Sequence, residues 1–173
     1  MPQDASLLPA VERDAAQLFR KLPHLAFLAD AGVLDVEFHS CQIADGMTLV
    51  SVDEDDRPTG FVTAERHGAF LHILELSVSR DAQGKGCGRS LLGALFDSGR
   101  RAGMKWVTLT TFRSVPWNGP FYERFGFRQL SEDEMPDFIV DILAAEQIEG
   151  LTQSPRCAMC APIGMENISA EPQ

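Results

Sequence analysis

Residues 83–88, with the sequence QGKGCG, constrain the fold of this chain more than any other segment. They follow an apolar stretch at 69–78, which predicts a central strand buried on both faces. They precede residues 89–101, whose apolar positions have helical spacing. A glycine-rich turn at the start of a helix collects unpaired backbone N–H groups, and the helix dipole adds positive potential there. The segment therefore predicts an α/β fold with a phosphate or pyrophosphate site at this junction.

Two common nucleotide motifs do not fit this turn. The Walker loop requires G-x-x-x-x-G-K-[ST], and here Gly88 is followed by Arg89 and Ser90 without the lysine. The dinucleotide fingerprint G-x-G-x-x-G fails as well, because Arg89 stands where the third glycine is needed after Gly84 and Gly86. A phosphate-binding NTPase or dinucleotide enzyme is therefore disfavoured, and only strong binding of ATP or NAD would revive it.

The remaining pattern is Gln83-x-x-Gly86-x-Gly88 after a strand that ends in Leu76-Ser77-Val78. It resembles the acyl-CoA signature of the GNAT superfamily of N-acetyltransferases, [RQ]-x-x-G-x-[GA] after a strand of the form L-x-V. Residues 118–127, NGPFYERFGF, resemble a later segment of the same family, which carries a tyrosine on a short helix. Both segments stand in the family's order, so the resemblance covers most of residues 5–163.

Hydrophobic periodicity along the rest of the chain agrees with such a fold. It predicts helices at 7–22, 24–30, 89–101, 120–125 and 135–147, and strands at 48–53, 60–67, 69–78, 106–111, 126–130 and 156–163. The resemblance implies a mixed α/β (α+β) GNAT fold, with an antiparallel meander, splayed central strands and flanking helices. We expect one acyltransferase domain at 1–163 and a flexible tail at 164–173. The family pattern does not map onto residues 33–47, and residues 135–147 lie in a region that varies within the family. Such regions tend to form the acceptor pocket.

The resemblance implies acetyl-CoA as the cosubstrate. Backbone N–H groups of the turn would wrap the pyrophosphate, because glycines allow close approach and positive φ angles. Leu76 and Val78 would pair with the pantetheine arm like an added strand, and Asn118 would hydrogen-bond that arm or only cap the next helix. Cys87 is expected to pack beneath its helix rather than act as a nucleophile. The expected cofactor-binding residues are Leu76, Val78, Gln83, Gly84, Lys85, Gly86, Cys87, Gly88, Arg89, Ser90 and Asn118.

Two catalytic residues follow from the same resemblance. Tyr122 is the expected general acid, since a phenol can protonate the less basic CoA thiolate; the alternative is a packed aromatic. Glu75 is the leading candidate for the base that deprotonates the acceptor amine, and the alternative is a carboxylate paired with a neighbouring arginine. His72 lies on the opposite face of the same strand. Less direct candidates for the base are Glu37 and His39.

Charge is unevenly distributed along the chain. The net charge is -10 overall, with a net of +6 in residues 83–129 and of -8 in each flank. This balance disfavours binding to nucleic acid or to an anionic membrane and suggests a local anion site. The acidic flanks favour a cationic small-molecule or protein amine as the acceptor, and both a monomer and a homodimer remain open.

Cysteine content and the apolar pattern bear on metals and location. The pair Cys157-x-x-Cys160 is only half of a zinc site and falls in an expected strand, where this spacing separates the two thiols, so we expect no metal. No apolar run approaches the roughly 20 residues of a membrane-spanning helix. The acidic N-terminal residues do not resemble a secretory signal, so we expect a cytoplasmic protein with reduced thiols.

Together these features predict an acetyl-CoA-dependent N-acetyltransferase. The acceptor amine would attack the thioester directly in a ternary complex, and a backbone N–H near Val78 would stabilise the oxyanion. The alternative is a non-catalytic acyl-CoA-binding or sensing module on the same fold. Four aromatic residues are expected in the core: Trp106, Phe121, Phe125 and Phe127.

Overall fold

The structure, a computed structural model, describes residues 1–148 and 155–164. Two α-helices precede three consecutive strands, and helices and strands alternate after that. The helices are α1 (Leu8–Ala16), α2 (Val36–Ala44), α3 (Cys87–Arg101), α4 (Gly119–Glu123) and α5 (Asp137–Ile148). The strands are β1 (Thr48–Val52), β2 (Pro58–His67), β3 (Phe70–Val78), β4 (Trp106–Phe112), β5 (Arg128–Gln129) and β6 (Arg156–Pro162). The expected tail lies outside the described residues apart from Gly164.

The six strands form one sheet in the order β1-β2-β3-β4-β6-β5. β1 pairs with β2 in antiparallel fashion from Thr48 opposite Thr63 to Val52 opposite Pro58, with a register shift near its end. β6 pairs in antiparallel fashion with β4, where Trp106 lies opposite Pro162, and with β5. The predicted mixed α/β fold is confirmed.

The first 45 residues differ most from the sequence prediction. The expected helix at 7–22 is two helices, because α1 ends at Ala16 and residues Gln17–Lys21 form a 3-10 helix. The ambiguous region at 33–44 contains α2. This helix starts where the Asp35 carboxylate accepts a hydrogen bond from the Phe38 N–H at 2.8 Å, which satisfies one of the unpaired donors of the first turn.

The chain divides into two compact units. The first comprises Met1–Glu65 and Ile73–Asp97, and the second comprises Arg66–His72 and Ser98–Gln173. In the first unit, Leu8, Val11 and Phe61 form a buried cluster. In the second unit, β6 is buried along five successive residues, as expected for a strand that is covered on both faces. No helix in the described part of the chain is long and apolar enough to cross a membrane.

Candidate active site

The glycine-rich turn in the first unit has the backbone of an anion-binding loop. Gly84 and Gly86 have φ angles of +72° and +86°, which L-amino acids with a side chain rarely adopt. Both glycines and Lys85 between them are exposed. The Ser90 N–H bonds the Gly86 carbonyl at 2.9 Å, which places the residues between them in the first turn of α3, where N–H groups precede the hydrogen-bond ladder of the helix. The turn therefore presents donors and a helix N-terminus to solvent.

Side chains next to the turn hold its geometry. The Gln83 Nε2 group donates to the Val78 carbonyl oxygen at 2.9 Å, which ties the turn to the end of β3. The Cys87 sulfur packs against Gly60, where an added Cβ would lie only 2.9 Å from it, so this thiol lies beneath the helix as expected. Arg89 and Ser90 are exposed in the first turn of α3. The sequence-predicted cofactor residues of this unit thus occupy one strand–turn–helix junction.

Helix α1 is fixed beside this junction by an ion pair. The Asp14 carboxylate accepts hydrogen bonds from the Arg80 backbone N–H and from its Nε, both at 2.8 Å. Although burial works in the opposite direction, these bonds and the charge of Arg80 lower the pKa of Asp14. A cleft of about 320 Å³ lies along the same helix, lined by Leu7, Ala10, Val11, Asp14, Arg57, Pro58 and Ser79.

A second group of polar side chains lies between α1, α2 and β3. The Glu12 carboxylate accepts from the Leu34 N–H at 3.2 and 3.3 Å. Its Oε2 lies 3.9 Å from the Nε2 of His39, whose side chain is 0% exposed. Burial raises the pKa of Glu12 to about 8, and the negative charge of Glu75 adds to the rise. Glu75 itself accepts from the Ser77 hydroxyl at 2.7 Å.

His39 is the most unusual member of this group. Neither of its ring nitrogens has a hydrogen-bond partner among the described residues. The ring stands edge-on to Phe38 and Phe61, at centroid distances of 5.9 and 5.1 Å. Burial lowers its pKa, although Asp35 opposes this, so the imidazole is neutral at neutral pH. A buried polar side chain that stays unpaired costs about 1–3 kcal/mol, so His39 needs a hydrogen-bonding partner beyond the described side chains.

Sequence reasoning did not select Glu12. One signal was available, because Glu12 follows Leu8 by one helical turn and so shares the face that α1 buries. A carboxylate on the apolar face of a helix needs a partner or a function. Of the two less direct candidates, His39 is buried and joins this group, whereas Glu37 is exposed.

The second unit carries the predicted general acid. Tyr122 is half-buried on α4 and makes edge contacts with Phe121 and Phe127, at centroid distances of 5.2 and 5.5 Å. Asn118 is the N-cap residue of α4, but its side chain makes no capping hydrogen bond. Its carbonyl instead accepts from the Phe121 and Tyr122 N–H groups. Capping therefore does not account for the Asn118 side chain.

The second unit also contains His72, Cys157 and Cys160, which have structural surroundings. The buried His72 is within hydrogen-bond distance of the Thr108 hydroxyl, 3.0 Å from its Nδ1. Burial raises the pKa of the Cys157 and Cys160 thiols. No group of three or more metal-ligating side chains occurs in residues 1–148 and 155–164.

Gly119 sets the position of the tyrosine helix. A Cβ built on this buried glycine would lie 2.7 Å from the backbone oxygen of Arg113, which cannot move without shifting the end of β4. We expect Gly119→Ala to lower the free energy of unfolding by about 1–3 kcal/mol, measured by urea denaturation. Gly32→Ala is the control, because a Cβ there meets no atom within 4 Å. Equal stability of the two variants would contradict this prediction.

Comparison with known proteins places these features in context. A family model described as an acetyltransferase (GNAT) domain matches residues 31–142. The PaiA N-acetyltransferase from Thermoplasma acidophilum, solved in complex with coenzyme A, superposes with a TM-score of 0.68 at 14% identity, over 93% of this chain and 94% of that one. The ribosomal-protein-S18-alanine N-acetyltransferase from Escherichia coli superposes with a TM-score of 0.61 at 15% identity, over 98% and 94%. Ard1 from Thermoplasma volcanium gives 0.66 at 16% identity, over 95% of each chain. At these identities the likeness shows a shared fold.

Proposed function

This chain belongs to the GNAT acetyltransferase family, whose domain spans residues 31–142, and on that premise we propose that it acetylates a primary amine by direct transfer from acetyl-CoA. Acetyl-CoA-dependent acetyl transfer is the general activity of this family. The proposal adds the class of acceptor, the ternary complex and the residues that act.

The observation that carries the proposal is the turn at 83–88. The turn combines two glycines with positive φ angles, an exposed backbone and the start of α3. A loop that binds pyrophosphate needs all three features, whereas a purely structural loop does not. The positive charges of Lys85 and Arg89 favour an anion at the same place. Coenzyme A, which the Thermoplasma acidophilum protein binds, carries such a pyrophosphate. The turn therefore supports acetyl-CoA as the cosubstrate.

The strand before the turn supports the place assigned to the acyl donor. Glu75, Leu76 and Val78 are close together on β3, so a pantetheine arm along this strand would bring the thioester near a carboxylate. A backbone N–H near Val78 would stabilise the developing oxyanion. Glu75 contributes negative charge for the acceptor amine, and the Tyr122 phenol would protonate the departing thiolate.

Ligand-dependent melting tests this proposal. A ligand present at about 100 times its Kd stabilises the native state by roughly 2.7 kcal/mol, which corresponds to about 5–10 °C in Tm for a chain of this size. We expect acetyl-CoA and CoA to raise Tm by this amount and ATP and NAD to have less effect. Acetyl transfer to a panel of primary amines, followed through release of free thiol, then tests catalysis.

Gly86→Ala should abolish the acetyl-CoA shift. The substitution forces a Cβ onto a φ angle of +86° and into the path of the pyrophosphate. Gly103→Ala is a matched control, because Gly103 also has a positive φ angle, +72°, and open space around it, but lies outside the turn. Both variants should lose stability, and only Gly86→Ala should lose the shift. An unchanged shift in Gly86→Ala would contradict the assignment of the turn, and CoA binding without transfer to any amine would favour the non-catalytic module.

A further inference from the structure

The group formed by Glu12, His39 and Glu75 has the properties of a cation-binding site. Its members come from α1, α2 and β3 within the first unit, and two of the three are carboxylates. The mutual influence of the two carboxylates is repulsive, since the charge of Glu75 makes ionisation of Glu12 less favourable. A bound ammonium ion would relieve that repulsion.

The side chain of His39 lacks the partners that a purely structural contact would give it. Its side chain is fully buried, and neither ring nitrogen is hydrogen-bonded within the described residues. The nitrogen nearest to Glu12 is 3.9 Å from its carboxylate, too far for a hydrogen bond. This unsatisfied imidazole lies beside an acid that reaches the surface, since 14% of the Glu12 side chain is exposed.

We propose that Glu12, in place of the Glu75 expected from the sequence, is the general base of the acetyl transfer, and that Glu12, Glu75 and His39 form the subsite for the ammonium group of the acceptor. The inference rests on the proposed function and deepens it. Glu75 contributes the second negative charge, and the Ser77 hydroxyl holds its carboxylate. The subsite selects an acceptor that arrives as a cationic primary amine.

The proton balance of the step is complete. The ammonium nitrogen gives one proton to the Glu12 carboxylate, and its freed electron pair forms the C–N bond with the thioester carbonyl carbon. The C–S bond breaks with its electron pair on sulfur, which takes the proton of Tyr122. A second proton leaves the nitrogen and restores the phenol through water, and Glu12 releases its proton to solvent.

The charges around Glu12 suit this role. Burial and Glu75 raise its pKa to about 8, while the Leu34 N–H and the charge of Arg13 oppose the rise. His39 on the facing helix is neutral, because burial lowers its pKa. A base with a pKa near the working pH can both accept a proton and give it up again.

Two primary amines that differ only by three fluorine atoms on the methyl carbon provide the test. Ethylamine is protonated at pH 7, whereas the fluorine atoms of 2,2,2-trifluoroethylamine withdraw electrons and leave it mostly neutral. Glu12→Gln keeps the shape of the side chain and an oxygen for the Leu34 N–H. We expect kcat/KM for ethylamine to fall about 100-fold or more in this variant and that for trifluoroethylamine to change by less than about threefold.

The control and the second variant separate catalysis from structure. Glu37→Gln removes an exposed carboxylate from the helix that carries His39 and should leave both rates unchanged. Glu75→Gln should raise KM for ethylamine more than it lowers kcat. Equal losses with both amines in Glu12→Gln, or no loss, would overturn the assignment while the proposed function stands. A wild type that acetylates trifluoroethylamine but not ethylamine would overturn the ammonium subsite alone, whereas failure with every amine of the panel would overturn the proposed function as well.

Discussion

Replacement of Tyr122 by phenylalanine is expected to lower kcat by roughly 10²–10³-fold, with little change in the affinity for acetyl-CoA. The ring contacts with Phe121 and Phe127 survive this change, and only the hydroxyl group is lost. Without a proton donor, the thiolate must leave as an anion. Steady-state kinetics at saturating acetyl-CoA and the ligand-induced rise in Tm measure the two effects separately.

Phe121→Leu is the matched control for packing. It alters the aromatic contacts of α4 and leaves the Tyr122 hydroxyl in place, so it should lower stability more than kcat. A Tyr122→Phe variant with full kcat would eliminate Tyr122 as the acid, and solvent water would then protonate the thiolate. Equal losses of kcat in both variants would assign Tyr122 to packing.

The turn could be predicted from sequence because its determinants are local. The turn between this strand and this helix requires positive φ angles at Gly84 and Gly86. Glycine adopts such angles without help from residues distant in the sequence. The segment around Tyr122 is local in the same sense. In both places a short run of consecutive residues determines the backbone conformation and also supplies the functional groups.

Glu12 and Trp106 show where sequence reasoning fails. The raised pKa of Glu12 arises from burial against elements distant in sequence, so helical periodicity alone cannot indicate it. Trp106 was predicted in the core, which is wrong: it is the first residue of β4 and is 36% exposed. Aromatic character predicts burial only when the residue's place along its strand is known. Phe125 and Phe127 are buried as predicted, and Phe121 is half-buried.

The stability of this protein should fall between pH 6.5 and pH 8.5 because of Glu12. Its pKa is raised from about 4.5 to about 8 on folding, so the native state binds more protons than the unfolded state in between. The stabilisation is therefore complete below pH 4.5 and is lost as the pH rises through 8. His39 has a lowered pKa and acts oppositely, but only below its ordinary value of 6.5. Between that pH and about 8.5 Glu12 dominates, because the Cys157 and Cys160 thiols, whose pKa values burial raises from 9.0, add to the fall mainly at higher pH.

We expect the free energy of unfolding of the wild type to fall by about 2 kcal/mol across this window. That of the Glu12→Gln variant should stay level. At pH 8.5 the variant should be more stable than the wild type by roughly 4 kcal/mol, since it never has to bury the charge. Urea denaturation at each pH measures both quantities, and Glu37→Gln should follow the wild type because its carboxylate is exposed. A wild type whose stability is level across the window would show that Glu12 ionises as it does in water. If Glu12→Gln is more stable than the wild type but slow with ethylamine, the wild-type protein gives up stability in order to keep a base with a pKa of about 8.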